Sequence, residues 1–160
     1  MRKILGTICL LFSAGLVAGA QGAKPNFSGT WHIDLAKSNF GPAPPPESMV
    51  LVVEHKEPGI KIKSTQKSTM GEMVNDRSLT TDGKPNVNTI RTYEGDQIVT
   101  STSKWDAGKF VTSYQYEVQG MKADVVDTWE LSANGAVLTI KRDITAGADT
   151  FTIQTVFNKK

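Results

Sequence analysis

From Gly29 to the end of the chain, apolar and polar side chains alternate with a period close to two, and Gly, Asp, Asn and Pro interrupt the alternation every eight to twelve residues or so. That pattern predicts strands near Thr30–Leu35, Met49–Lys56, Ile60–Thr65, Glu72–Thr80, Val87–Glu94, Gln97–Lys104, Phe110–Val118, Ala123–Leu131, Ala136–Ile144 and Phe151–Phe157. The connections are short and turn-like: Glu57-Pro58-Gly59, Thr81 to Lys84, Gly95-Asp96, Asp106-Ala107-Gly108, Gln119-Gly120 and Ser132 to Gly135. Asp-Gly and Asn-Gly pairs suit them because tight hairpins need left-handed backbone. No stretch carries the 3.6-residue period of a useful helix.

Sequential hairpins of this kind make an up-and-down topology, and closing the sheet removes its exposed edges. The expectation is an all-β fold: a single up-and-down antiparallel barrel of about 8–10 strands. One segment departs from the pattern. Ala36–Ser48 holds Pro42, Pro44, Pro45 and Pro46, which suit neither a helix pair nor a central strand, so an extended connection over the surface or the barrel mouth is expected.

The start of the chain has a different character. Met1, Arg2 and Lys3 precede an apolar run, Ile4–Val17, followed by Ala18-Gly19-Ala20, the order of a secretory leader and its cleavage site. The run is shorter than the ~18–20 apolar residues of a membrane span. Residues 1–20 are therefore expected to be a signal peptide and 21–160 a single barrel domain, exported to the periplasm or medium and without stable membrane insertion after cleavage. Loss of the leader removes Cys9, the one cysteine, so neither disulfides nor thiolate chemistry is expected in the remaining 140 residues. It also removes Arg2 and Lys3, which leaves 16 basic against 16 acidic residues. A balanced chain has no electrostatic footprint for nucleic acid or anionic membrane.

Trp31 stands in Gly29-Thr30-Trp31 on the first predicted strand, sharing a face with Ile33 and Leu35, while Thr30, His32 and Asp34 share the other. A GxW on the first strand followed only by antiparallel strands resembles the calycin superfamily of lipocalins, fatty-acid-binding proteins and avidins. The wider pattern, NFSGTW, KSNFGP and DTWELSANGAVLTI, is similar to that of small exported bacterial proteins of lipocalin-like type. The resemblance implies a barrel closed at one end by Trp31. It does not extend to ligand motifs: there is no lipocalin-type TDY between the middle strands, no pair of helices after the first strand, and no Arg-x-Tyr on the last strand, Phe151–Phe157.

Candidate site residues follow from strand faces. If Leu131 opposes Ala136, one face of the late hairpin carries Val125, Asp127, Trp129 and Leu131 against Leu138, Ile140, Arg142 and Ile144, with Asp127 and Arg142 diagonal neighbours. Charges on an apolar face need partners. Two readings stand: an internal ion pair, with Arg142 also over the Trp31 ring as the resemblance to lipocalins implies, or an Arg142 that receives the acidic head of a ligand. Trp31, Trp129 and Asp127 are then residues of barrel closure. Arg91 and Tyr93 share a face and suit a carboxylate, and Tyr114 and Tyr116 continue a stripe from Phe110 that suits either core or cavity wall. Gln97–Lys104 packs densely on neither face, which fits a hydroxyl-lined cavity or a poorly covered seam. His32 and His55 are isolated, and no nucleophile, metal or phosphate motif is present, so no catalytic residue, metal or cofactor is assigned. The expected function is binding of a small apolar or amphipathic molecule, with a filled structural or interaction barrel as the alternative and an enzyme third.

Overall fold

A computed structural model describes residues 24–118 and 120–160. The leader reading for residues 1–20 lies outside the described residues. Ten strands follow one another: β1 Gly29–Ile33, β2 Ser48–Lys56, β3 Gly59–Ser68, β4 Gly71–Thr80, β5 Asp82–Thr92, β6 Gly95–Asp106, β7 Lys109–Val118, β8 Met121–Leu131, β9 Val137–Ala146 and β10 Asp149–Lys159. All pairings are antiparallel, and β1 joins β10 as well as β2, so the hairpin meander curls into a nearly closed all-β barrel. The two ends of the ladder are β4 and β5.

One end of the barrel is sealed by aromatic side chains. Phe27, Trp31, Phe110 and Trp129 are buried, with Phe27 at the hub. Its ring meets Trp129 edge-on at 5.6 Å, stacks on His55 at 5.8 Å and lies 5.9 Å from Trp105. The Trp31 indole N–H donates to the Phe27 carbonyl at 2.9 Å, which satisfies the polar edge of a fully buried ring. Trp31 is thus one part of a plug, and the residue that holds it lies before the first strand.

Three sequence expectations change. β1 ends at Ile33 because the Asp34 side chain accepts from the Lys37 N–H and starts a 3-10 turn, Leu35–Lys37, which leaves Leu35 exposed rather than beside Trp31. The cation over the Trp31 ring is Lys159, at 5.2 Å, because β10 is the strand that pairs with β1; Arg142 instead lies 6.0 Å from the Tyr114 ring. The late hairpin is two residues wider than expected: Leu131 faces Leu138, and Asp127 faces Arg142 directly. Its loop turns through Gly135 at φ +69° and is held by Ser132 and Asn134 side chains bonding the Val137 and Ala136 N–H groups, a geometry that needs the extra length. A shift of two preserves which face each side chain takes.

The proline segment does lie across the barrel. Asn39 bridges Gln154 on β10, Pro46 is buried, and the Glu47 N–H reaches the Lys67 carbonyl on β3.

Candidate functional site: an arginine-bearing cavity

Away from the aromatic plug the barrel is hollow. A cavity of about 320 Å³ lies between β3 to β7 and β9, bordered by Met73, Leu79, Ile90, Tyr114, Tyr116 and Val99 with Ser101 and Thr112 among them. The weak packing expected of Gln97–Lys104 has this cause: its inward face, Val99, Ser101 and Ser103, is made of small side chains, and the first two border the cavity. A second space of about 180 Å³ lies under Phe40, Pro44 and Pro46, against Trp129, Ile140 and Phe157. Met49, Gln66, Arg77 and Arg142 border both, so they mark the junction of two chambers.

Arg142 is anchored. Its Nε and Nη2 donate to the two carboxylate oxygens of Asp127 at 2.7 and 2.8 Å, a two-point bond that fixes both planes. The Asp127 side chain is 2% exposed and that of Arg142 35%, the latter opening onto the cavity it lines. Burial pulls the Arg142 pKa down, and the facing Asp127 charge more than offsets this, so the guanidinium stays charged. The Tyr114 hydroxyl donates to Asp127 at 3.3 Å, and burial pushes its own pKa up to about 12. Of the two sequence readings for Arg142, the internal ion pair is present, and it occupies the guanidinium edge that a ligand carboxylate would take.

Arg91 and Tyr93 sit at the rim. The Arg91 side chain is 61% exposed, with Nε on Asp96 at 3.3 Å, and the Tyr93 hydroxyl meets Ser68 at 2.8 Å. Both residues border the mouth, but their polar tips are engaged there with neighbouring turns. Tyr114 and Tyr116 are side by side in the wall, ring centroids 6.1 Å apart, whereas Phe110 of the same stripe belongs to the plug.

Sequence reasoning missed Arg77. It stands on β4 opposite Ile62 of β3, whose side chain is buried in the core, so it points inward and borders both chambers. Among the described residues it has neither an ion pair nor a hydrogen bond. The signal was available: in Glu72–Thr80 the alternation puts Met73, Asn75, Arg77 and Leu79 on one face, a lone cation in an inward row.

The seam between β4 and β5 was also missed. These strands share no main-chain ladder; asparagine side chains stand in for it. The Asn75 amide accepts from the Arg91 N–H at 2.6 Å and donates to the Arg91 carbonyl at 3.1 Å. Asn88 treats Ser78 likewise, at 2.7 and 3.1 Å, and Asn86 accepts from the Thr80 N–H at 2.7 Å. A primary amide carries the donor and acceptor of a peptide, so Asn75 and Asn88 each replace one ladder rung, while Asn86 spends its donor on the Thr80 hydroxyl.

At the plugged end, His55 Nδ1 accepts from the Phe27 N–H at 3.2 Å, which leaves the neutral ring's proton on Nε2, 3.3 Å from Glu57. Glu57 also accepts from Thr81 and from the Trp105 indole. Partial burial pushes the Glu57 carboxyl up, and these donors more than reverse it, so it lies below the ordinary 4.5.

No family model and no curated protein matches the chain at the level of sequence. Solved structures do match its fold. Secretory abundant heat soluble protein 4 from Ramazzottius varieornatus has a TM-score of 0.54 at 12% identity over 86% of this chain and 96% of its own. The fluorescent protein UnaG has a TM-score of 0.53 at 12% identity, with 84% and 97% covered. The fatty acid binding protein of Schistosoma mansoni, solved in complex with arachidonic acid, has a TM-score of 0.50 at 11% identity, with 87% and 99% covered.

Proposed function

Starting from a calycin barrel of the fatty-acid-binding-protein type that is sealed at one end and hollow at the other, we propose that this protein binds a small apolar or amphipathic molecule in its interior. The observation that carries the reading is the cavity of about 320 Å³ on the side of the barrel away from the aromatic plug. Its wall mixes Met73, Leu79, Ile90 and Tyr116 with hydroxyls and guanidinium groups, which suits a ligand with an apolar body and some polar decoration. Cavities of roughly 300–1,000 Å³ are the usual size for small-molecule sites. The same fold in the Schistosoma protein was solved with arachidonic acid, which supports a lipid-sized guest as a class to test. Export with loss of Met1–Ala20 is part of the proposal and rests on the leader pattern alone.

Burying about eight methylenes at ~0.8 kcal/mol each gives about 6 kcal/mol, a dissociation constant in the tens of micromolar before ordering costs. The test is a titration with the neutral apolar dye N-phenyl-1-naphthylamine, together with native mass spectrometry and N-terminal sequencing of protein taken from the exported fraction of its own host. We expect dye binding at tens of micromolar or tighter and a start at or near Gln21. Ser101→Phe, which pushes a ring into the cavity, should abolish dye binding while the far-ultraviolet circular dichroism stays that of the wild type. Absence of both dye binding and any co-purified mass would leave the filled interaction barrel as the better account.

A further inference from the structure

The charges of the interior do not balance. Among the described residues Asp127 is the one acid bordering either chamber, and Arg142 holds both of its carboxylate oxygens. Arg91 borders the mouth and has Asp96 outside it. Arg77 has no such partner, and it is partly buried at the junction where the two chambers meet. Its guanidinium nitrogens keep contact with solvent, and a cation facing an apolar-walled space without an acid of its own offers its planar fork to an anion that enters. The residues nearest along its own inward row do not engage that fork: the Asn75 oxygen is bonded to the Arg91 N–H, and Met73 and Leu79 are apolar.

We infer that the ligand is a monoanion whose acidic group docks on Arg77, between the two chambers rather than at the barrel rim. The inference deepens the binding reading above and rests on it. The position sets the shape of the guest. On one side of Arg77 lies the smaller space under the proline segment, walled by Trp129, Ile140 and Phe157; on the other lies the larger one, walled by Tyr114 and Tyr116. A molecule with its acid group between two apolar portions fills both chambers. One with the acid at a terminus leaves one chamber empty while the charge is held. Bidentate acceptance by a carboxylate or sulfonate fits the planar guanidinium fork, and the bonds strengthen where water is thin.

The probes that separate charge from apolar burial share one skeleton: 1-anilinonaphthalene-8-sulfonate, with its sulfonate on the ring system between two aromatic portions, and the neutral N-phenyl-1-naphthylamine. Each is titrated against the wild-type protein, Arg77→Met, Arg77→Lys and, as a rim control, Arg91→Met. The wild type should prefer the sulfonate. Arg77→Met should lose about tenfold to a hundredfold in affinity for the sulfonate, the scale of a hydrogen-bonded charge, with the neutral dye unchanged or tighter. Arg77→Lys should recover part of the loss, because it restores the charge without the fork, and Arg91→Met should bind like the wild type. Equal affinity of wild type and Arg77→Met for the sulfonate overturns the assignment, as does a parallel loss for both dyes, which would mean that Arg77 only shapes the wall. If the neutral dye binds and the sulfonate does not, the cavity reading stands and the anion assignment falls; if neither binds, both fall.

Discussion

Removing Arg142 should destabilise this barrel more than removing both Arg142 and Asp127. In Arg142→Met the Asp127 carboxylate loses donors at 2.7 and 2.8 Å and keeps only the Tyr114 hydroxyl at 3.3 Å, in a place where its side chain is 2% exposed. Stranding one member of a buried pair costs about 3–5 kcal/mol, a large share of the ~5–15 kcal/mol that holds a domain together. Asp127→Leu should cost less, about 1.5–3 kcal/mol, because the guanidinium it strands still opens onto the cavity. The double variant strands no charge, only the Tyr114 hydroxyl that donated to Asp127 at 3.3 Å, and places apolar groups beside Trp129 and Ile140, so its loss should be about 2 kcal/mol or below. The coupling between the two sites is then about 2.5 kcal/mol or more, far outside the ~0.5 kcal/mol within which independent sites add. Urea unfolding followed by tryptophan fluorescence measures all four proteins, and equal slopes across the set establish that the same transition is compared. If the two single losses simply add in the double variant, the pair is not an energetic unit and the reading of this wall is wrong.

Two further outcomes are expected. The Glu57 carboxyl sits below its ordinary value of 4.5 in the folded state, so the stability it contributes is complete above that pH and disappears as pH falls through its folded value. Wild type should exceed Glu57→Gln in urea stability at neutral pH, and the gap should close below pH 4.5; a gap that widens in acid contradicts the sign. In Asn88→Ala the Ser78 N–H loses the acceptor that holds it at 2.7 Å, and hydrogen exchange at Ser78 should quicken while the Arg91 amide, held by Asn75, keeps its protection. An unchanged Ser78 rate would show that the asparagine carries no load at the seam.

Much of the architecture was legible because a strand has only two faces. Trp31, Trp129, Asp127 and Arg142 all point inward as alternation requires, and the hairpin misjudged by two residues kept its faces for the same reason. The length of that hairpin loop was not legible, since it depends on Ser132 and Asn134 side chains bonding nearby backbone. Leu35 was misplaced because an aspartate cap ended β1 before the alternation did. Alternation starts the fifth strand at Val87, past Pro85, whereas the strand itself starts at Asp82 and absorbs Gly83, at φ +79°, in a shift of register before Pro85. Phe27 lies outside every strand, so no periodicity points to it. For the site, Tyr114, Tyr116 and Arg142 were placed in the wall by face alone. What face cannot tell is which cation already has a partner: Arg142 spends its charge on Asp127, Arg91 on Asp96, and Arg77 on neither.

The asparagine seam makes the barrel's circumference a property of three side chains. Nine of its ten strand junctions are held by peptide groups, which every residue but proline supplies in full, so no ordinary substitution can delete them. The tenth hangs on Asn75, Asn86 and Asn88, and a single codon change removes any one clasp without touching the backbone. The clasps are also discrete: the one at Arg91 lies toward the open mouth, the one at Ser78 midway and the one at Thr80 toward the plug, so each can be lost by substitution while the other two remain, like buttons on one edge. Here the width of the opening is heritable separately from the fold. A lineage of such barrels is free to widen or narrow its entrance one button at a time while the other nine junctions keep the barrel standing.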